Sequence, residues 1–265
     1  MFLSRYLIAT ALLGGCLSQL SAGQALRHPD GDNVMLAVRN QSMPEELGRG
    51  RIAKILERYY VDGLGGRENW DAVESLRVVG ELTLEEGALE LQAFQKKPNF
   101  IKIIISNSPR SSLVLSYDGE TAWQQASNAE APVRMTEVEA RRFIHSSVFG
   151  NHLLFPFQEG KTIELIDTVP IEGVICHHIR VSLDSEFQVD YYIDIRTYRE
   201  VKVVNTDLQS GFETAINYED YHVEMGVPIA TSVTSFEDGK QVSMLKLNEV
   251  RFNTGVMPWM FSMPK

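Results

Sequence analysis

The chain reads as a mainly β, α+β fold. It predicts a curved antiparallel sheet of about eleven strands forming a half-open barrel, with N-terminal and inserted helices covering the concave face. Three observations predict it. From Leu76 onward apolar residues recur at every second position, the period of a half-buried strand. Turn residues such as Glu86-Gly87, Lys97-Pro98-Asn99 and Asp118-Gly119 separate these runs at short intervals. Only two segments, residues 49–60 and 135–152, carry a helical period, and no strand–helix alternation or internal repeat is present. An antiparallel sheet this long must curl or split into layers.

The elements follow in order. Residues 1–5 are short and basic, residues 6–13 (YLIATALL) are apolar, and small residues follow, which is the pattern of a secretory signal over residues 1–25. The apolar run is far below the ~20 residues of a membrane-spanning helix. Leu13-Gly14-Gly15-Cys16 also matches a lipobox, in which Cys16 would be lipidated; Ser21-Ala22-Gly23 offers ordinary cleavage instead. Residues 26–48 mix Pro, Gly, Asn and Asp and read as an extended or flexible arm. Residues 49–265 read as one domain.

In residues 49–60 the helical spacing places Ile52, Ile55, Leu56 and Tyr59 on one face, and glycines at 63, 65 and 66 end the helix. Residues 69–75 predict a further short helical turn. LRVVGELTLE, ALELQAFQKK, FIKIIIS, SSLVLSYD and residues 121–125 then form a meander. Residues 135–152 interrupt it. Thr136 with Glu139 matches a capping box, and Val138, Arg142, His145 and Phe149 fall at helical spacings. This helix and the apolar LLFPFQEG after it either cover the sheet or pack as ordinary core. Strands resume at residue 161 and continue to Asn253.

Composition narrows the function classes. Of 265 residues, 44% are hydrophobic, enough to bury a core without cross-links. Cysteine occurs only at 16 and 176, so no disulfide framework is expected, and Cys176 reads as a small buried thiol. A net charge of −10, with no basic cluster, argues against nucleic-acid binding and against adsorption to anionic membranes.

No nucleophile elbow, zinc-protease, phosphate-loop or dinucleotide motif occurs, so the chain reads as a non-enzyme without cofactor or metal. His177 and His178 are strand neighbours and point to opposite faces. His145 and His152 could share a helix face but lack an evident third ligand. The acidic run 184–194 alternates, with Phe187, Val189, Tyr191 and Ile193 on one side and Gln188, Asp190 and Asp194 on the solvated side.

Several segments together resemble the outer-membrane lipoprotein-sorting family, the LolA-like proteins, over roughly residues 50–264. They are the run from Gly80 to Lys102, Tyr117-Asp118-Gly119 before Trp123, and Gly173 with Cys176. Tyr191-Tyr192-Ile193-Asp194 leading to Thr197-Tyr198, Tyr218-Glu219-Asp220-Tyr221, Gly226-Val227-Pro228, residues 249–253 and the terminal residues 261–264 complete the order. The resemblance implies an eleven-stranded half-barrel closed by helices, as in LolA and LolB, whose apolar cavity shelters acyl chains in the periplasm.

On that resemblance the expected ligand is the acyl chain of a lipid or lipoprotein. Candidate lining residues are Leu82, Leu84, Leu89, Leu91, Ile103, Ile105, Leu113 and Leu115. Phe143, Phe149, Leu154 and Phe157 are candidates for the cover, and each of these residues can equally be plain core. The arginine that locks the lid in such carriers has no clear match; Arg77 and Arg110 are the candidates. The expected protein is a periplasmic monomer that carries lipid or lipoprotein, with an inner-membrane exporter or outer-membrane acceptor as partner. The alternative is an envelope interaction or sensor module, or an exporter accessory, held at the outer membrane facing the periplasm through Cys16.

Overall fold

The computed structural model describes residues 50–108, 111–153 and 160–264. The leader, Cys16, the arm, Arg110, Leu154 and Phe157 lie outside the described residues. One antiparallel sheet of thirteen strands dominates, in the order β6-β5-β4-β3-β2-β1-β13-β12-β11-β10-β9-β8-β7. It is a meander from β1 to β6 and another from β7 to β13, joined where β1 pairs with β13. The sheet does not close, since β6 and β7 stand at opposite ends of the order.

The strands are β1 (Ser75–Leu84), β2 (Gly87–Lys96), β3 (Phe100–Ser108), β4 (Ser111–Tyr117), β5 (Ala122–Ala126) and β6 (Val133–Arg134). After the inserted helix come β7 (Lys161–Ile171), β8 (Val174–Leu183), β9 (Phe187–Asp194), β10 (Glu200–Asp207), β11 (Phe212–Glu224), β12 (Val227–Glu237) and β13 (Lys240–Phe252). The count exceeds the expected eleven or so. β6, at two residues, is too short to show any alternation.

Period two holds through β1–β3, whereas Leu115, Ser116 and Tyr117 of β4 and Ala122, Trp123 and Gln124 of β5 are buried in succession. In β1, Leu76, Val78 and Leu82 are buried while Glu81 and Thr83 are exposed. Asp118 closes the β4–β5 turn by accepting from the Glu120 and Thr121 amides at 3.1 and 2.8 Å. One solvated-side expectation fails. Asp190 does lie opposite Tyr191 and Val189, but it is only 5% exposed, because Arg180, His178 and Gln188 all donate to it. Burial alone would push its carboxyl up; the Arg180, His178 and Gln188 hydrogen bonds hold it below the usual range.

Helix α1 (Arg51–Arg58) buries Ala53, Ile55 and Leu56 and runs into a π turn at Tyr59–Gly63. A Cβ on Gly63 would lie 2.1 Å from the Tyr198 carbonyl oxygen, so only glycine lets this turn sit on the β9–β10 connection. Helix α2 spans Arg67–Ala72, earlier than the helical turn expected at 69–75, because Ser75 already belongs to β1. Helix α3 spans Glu137–Ser147 and starts with the expected capping box, Thr136 accepting from the Glu139 amide.

The face expected for α3 is corrected. Val138 is 60% exposed, and Phe149 and His152 lie beyond the helix end; Phe143 and Ser147 are its buried residues. The C-terminal strap, with a short 3-10 turn at Pro258–Met260, crosses the outer face. There Phe261 O accepts from Trp123 Nε1 at 2.7 Å and Ser116 Oγ at 2.9 Å, and Lys102 Nζ donates to Met260 O at 3.1 Å.

Candidate functional site

The inner face of β1–β4 carries an apolar wall. Register sets Leu82 opposite Leu89, Gly80 opposite Leu91, and Leu91 opposite Ile105. Ala93 stands opposite Ile103, Ile103 opposite Leu115, and Ile105 opposite Leu113. All eight residues named for the wall therefore share one face. Leu82, Leu91, Ile103, Ile105 and Leu115 are buried, whereas Leu84, Leu89 and Leu113 are half-buried and pack on the same core. The half-buried ones sit where β1 and β3 end and β2 and β4 begin, which marks one apolar end of the wall.

Helix α3 lies over this wall. Phe143 is fully buried in the core cluster, as is Phe149 just beyond the helix. The helix packs on β4 and β5 at one side. At the other, Arg141 and Arg142 both reach Asp207, the last residue of β10, which is 3% exposed. Arg141 also lies 4.4 Å over the Phe187 ring and Arg142 4.6 Å over Phe212. Burial alone would push the Asp207 carboxyl up; Ser210, Arg142 and Arg141 together hold it below the usual range. The helix thus bridges the two arms of the open sheet. Of the two arginines named for the lock, Arg77 pairs with Glu249 at 3.0 Å across β1–β13, and Arg110 lies outside the described residues.

Beyond α3, residues 150–153 are held by a polar cluster that the sequence reading missed. Tyr59 Oη donates to Glu200 Oε1 at 2.6 Å, and the Asn151 amide donates to both. Tyr191 Oη accepts from the His152 amide at 2.8 Å, and Tyr60 Oη donates to Leu153 O at 2.7 Å. Tyr221 Oη donates to Glu200 O at 2.8 Å. Burial drives the Glu200 carboxyl up to about 8, against the Tyr59 hydrogen bond that favours its charged form. The π turn presents both tyrosines to this segment.

Next to this cluster two imidazoles stack. His145 lies 4.7 Å from His152 and 4.0 Å from Phe187, ring centre to ring centre. Burial lowers His145 to about 4, with the Asn205 hydrogen bond opposing, and lowers His152 as well. Lys161, at the start of β7, donates to His152 O at 3.1 Å, and burial lowers its ammonium to about 7. Such groups favour their neutral forms, which keeps the interior compatible with apolar contents. Cys176 is buried, and burial raises its thiol to about 11, so it stays protonated and inert.

No protein-family model and no curated protein sequence matches the chain. Solved structures do. The chain is similar to a protein described as an outer membrane lipoprotein-sorting protein domain from Vibrio parahaemolyticus, with a TM-score of 0.55 at 12% identity, covering 78% of this chain and 94% of that one. It is similar to a LolA superfamily protein from Nitrosomonas europaea, with a TM-score of 0.54 at 12% identity and coverages of 79% and 96%. A DUF1329 family protein from Desulfovibrio piger matches with a TM-score of 0.56 at 8% identity and coverages of 79% and 96%. The chain therefore has the LolA-like curved half-barrel fold, as its sequence motifs suggested.

Proposed function

We propose that this protein is a periplasmic carrier that shelters the acyl chain of a lipid or lipoprotein, without catalysing a reaction. The observation that carries the reading is the apolar inner wall of β1–β4 beneath a helix fastened by polar contacts. The LolA-like fold supports it, because one of the similar structures is described as a lipoprotein-sorting domain. An acyl chain gains ~0.8 kcal/mol for each buried CH₂, so it crosses an aqueous space only inside such a shelter. In this reading Leu82, Leu84, Leu89, Leu91, Ile103, Ile105, Leu113 and Leu115 line the shelter, and Phe143 and Phe149 belong to its cover.

In the same reading residues 1–25 direct export, and ordinary cleavage removes Cys16 with them. Incorporation of labelled palmitate that disappears in Cys16→Ala would instead make the protein a membrane-held acceptor. Native mass spectrometry of protein purified from the cell envelope tests the carrier. A co-purified lipid, or uptake of added lipid by the delipidated protein, is expected. A protein that carries no lipid and takes none up, but retains a stable protein partner in envelope pull-downs, would be a sensor or interaction module.

A further inference from the structure

A buried amide on the inner wall lacks partners for both of its polar atoms among the described residues. Gln95 lies on β2 opposite Leu76 of β1 and Ile101 of β3, and shares their apolar face with Ala93. It is 1% exposed, and among the described residues neither its Oε1 nor its Nε2 has a hydrogen-bond partner. The Trp70 Nε1 at the same end of the wall is also buried and unpartnered among the described residues. That placement follows from Lys97, two residues past Gln95, whose Nζ donates to Trp70 O at 2.9 Å while its amide bonds Glu74 O at 3.1 Å. The Trp70 indole stands edge-on to Phe149, a residue of the cover, at 6.3 Å.

Buried polar side chains are nearly always paired, and leaving one unmet costs stability. A leucine at 95 would fill the same wall without that cost. Either an ordered water or a polar group of the cargo meets these atoms. We propose that Gln95, with Trp70 as a second donor, anchors the uncharged ester or amide linkage at the head of the acyl chain. This rests on the carrier reading. The carbonyl of an ester or amide accepts from Gln95 Nε2 and Trp70 Nε1, while an amide N–H or a glyceryl hydroxyl donates to Gln95 Oε1.

A neutral linkage suits this place better than a free carboxylate, because the Lys97 ammonium at this end is committed to Trp70 O and a carboxylate would lose its hydration against an uncharged amide. The geometry also orients the cargo. From Gln95 the wall runs along β2 to Leu89, roughly 20 Å at the rise of a strand. The linkage would sit at the Trp70 end and the chain would extend toward the half-buried Leu84, Leu89 and Leu113.

Delipidated protein loaded with an anilinonaphthalene dye, and challenged with methyl laurate or n-tridecane, tests this. The wild type should bind the ester more tightly than the hydrocarbon. In Gln95→Leu the ester should lose roughly 3- to 10-fold in affinity and the hydrocarbon should be unchanged. Gln95→Met, a close match in volume, repeats the measurement should the leucine variant fold poorly. No preference for the ester in the wild type, or an unchanged ester affinity in a folded variant, overturns the proposal and assigns these atoms to water. Equal losses for both competitors overturn it too, since they mark a packing role. A wild type that binds neither competitor overturns the carrier reading itself.

Discussion

Glu200 should make the folded protein less stable as pH rises from 5 to 8. Burial lifts its carboxyl from 4.5 to about 8, so the folded chain holds a proton that the unfolded chain releases. The stabilisation is fully present below about pH 4.5 and is lost as pH climbs through the folded value. Its slope is ~1.4 kcal/mol per pH unit, or about 4 kcal/mol across this window. The buried bases beside it, His145, His152 and Lys161, work the other way. His145, lowered to about 4, adds stability as pH rises from 4 to 6.5, and Lys161, lowered to about 7, does so from 7 upward. The wild-type profile alone therefore mixes opposing slopes.

Glu200→Gln separates them, because glutamine copies the shape of the protonated acid and does not titrate. Urea unfolding of both proteins, followed by tryptophan fluorescence at pH 5, 6, 7 and 8, gives the difference directly. The variant should gain on the wild type by ~1.4 kcal/mol per unit. A gap that stays flat within ~0.5 kcal/mol over the series would refute the buried, protonated state of Glu200, since such a gap is no more than ordinary additivity error.

Three further outcomes are expected. Asp207→Ala strands Arg141 and Arg142 and should cost about 2–3 kcal/mol, below the range for fully buried pairs because both arginines are partly exposed; thermal unfolding measures it. Leu91→Ala removes a fully buried side chain from the middle of the wall and should cost about 2–5 kcal/mol in urea unfolding, depending on how far the site collapses. Trp123→Phe deletes the indole donor to Phe261 O and should cost about 1 kcal/mol. Carboxypeptidase should then trim the C-terminal strap faster than in the wild type; equal trimming would mean that the strap is held elsewhere.

The wall was legible in the sequence because the backbone keeps the period of two through β1–β3, even where Gln95 takes an apolar place. Even the irregularity between β1 and β13 leaves β1 intact, since the extra residue, Asn248, falls in β13. Glu200 shows the opposite case. A bulge between Glu200 and Lys202 inserts Val201 on one side of the β9–β10 ladder, and this turns Glu200 to the interior with Val203. Read by alternation, a glutamate after Arg199 belongs to solvent. Its partners Tyr59 and Asn151 lie 141 and 49 positions away, and no local pattern joins them. The same holds for the cover. The capping box marks where α3 begins, but Arg141 and Arg142 read as surface charges until Asp207, some 65 residues later, is folded beneath them.

The cover adds polar fastenings and a few buried side chains to the sheet, whereas the wall is also tied by a continuous strand ladder, and this decides where the molecule opens. A buried wall residue such as Ile103 contributes about 1.5–3 kcal/mol by leaving water, and nothing in water replaces that. The cover is fastened at Asp207 on one side and at Glu200, Tyr59, Tyr60 and Tyr191 on the other. Each such hydrogen bond contributes only about 1 kcal/mol net, because water takes its place when it parts. Lifting α3 and residues 150–153 uncovers Phe143, Phe149 and Leu153 and exchanges these bonds for hydration, but leaves the strand ladder whole. Parting β2 from β1 or β3 instead breaks the ladder and exposes the wall along its length. Amide exchange under native conditions should accordingly be fast in residues 137–153 and approach the global unfolding limit in β1–β3. Equal protection of the two regions would mean that the cover is part of the sealed core, and that the chain does not open to load and release a cargo.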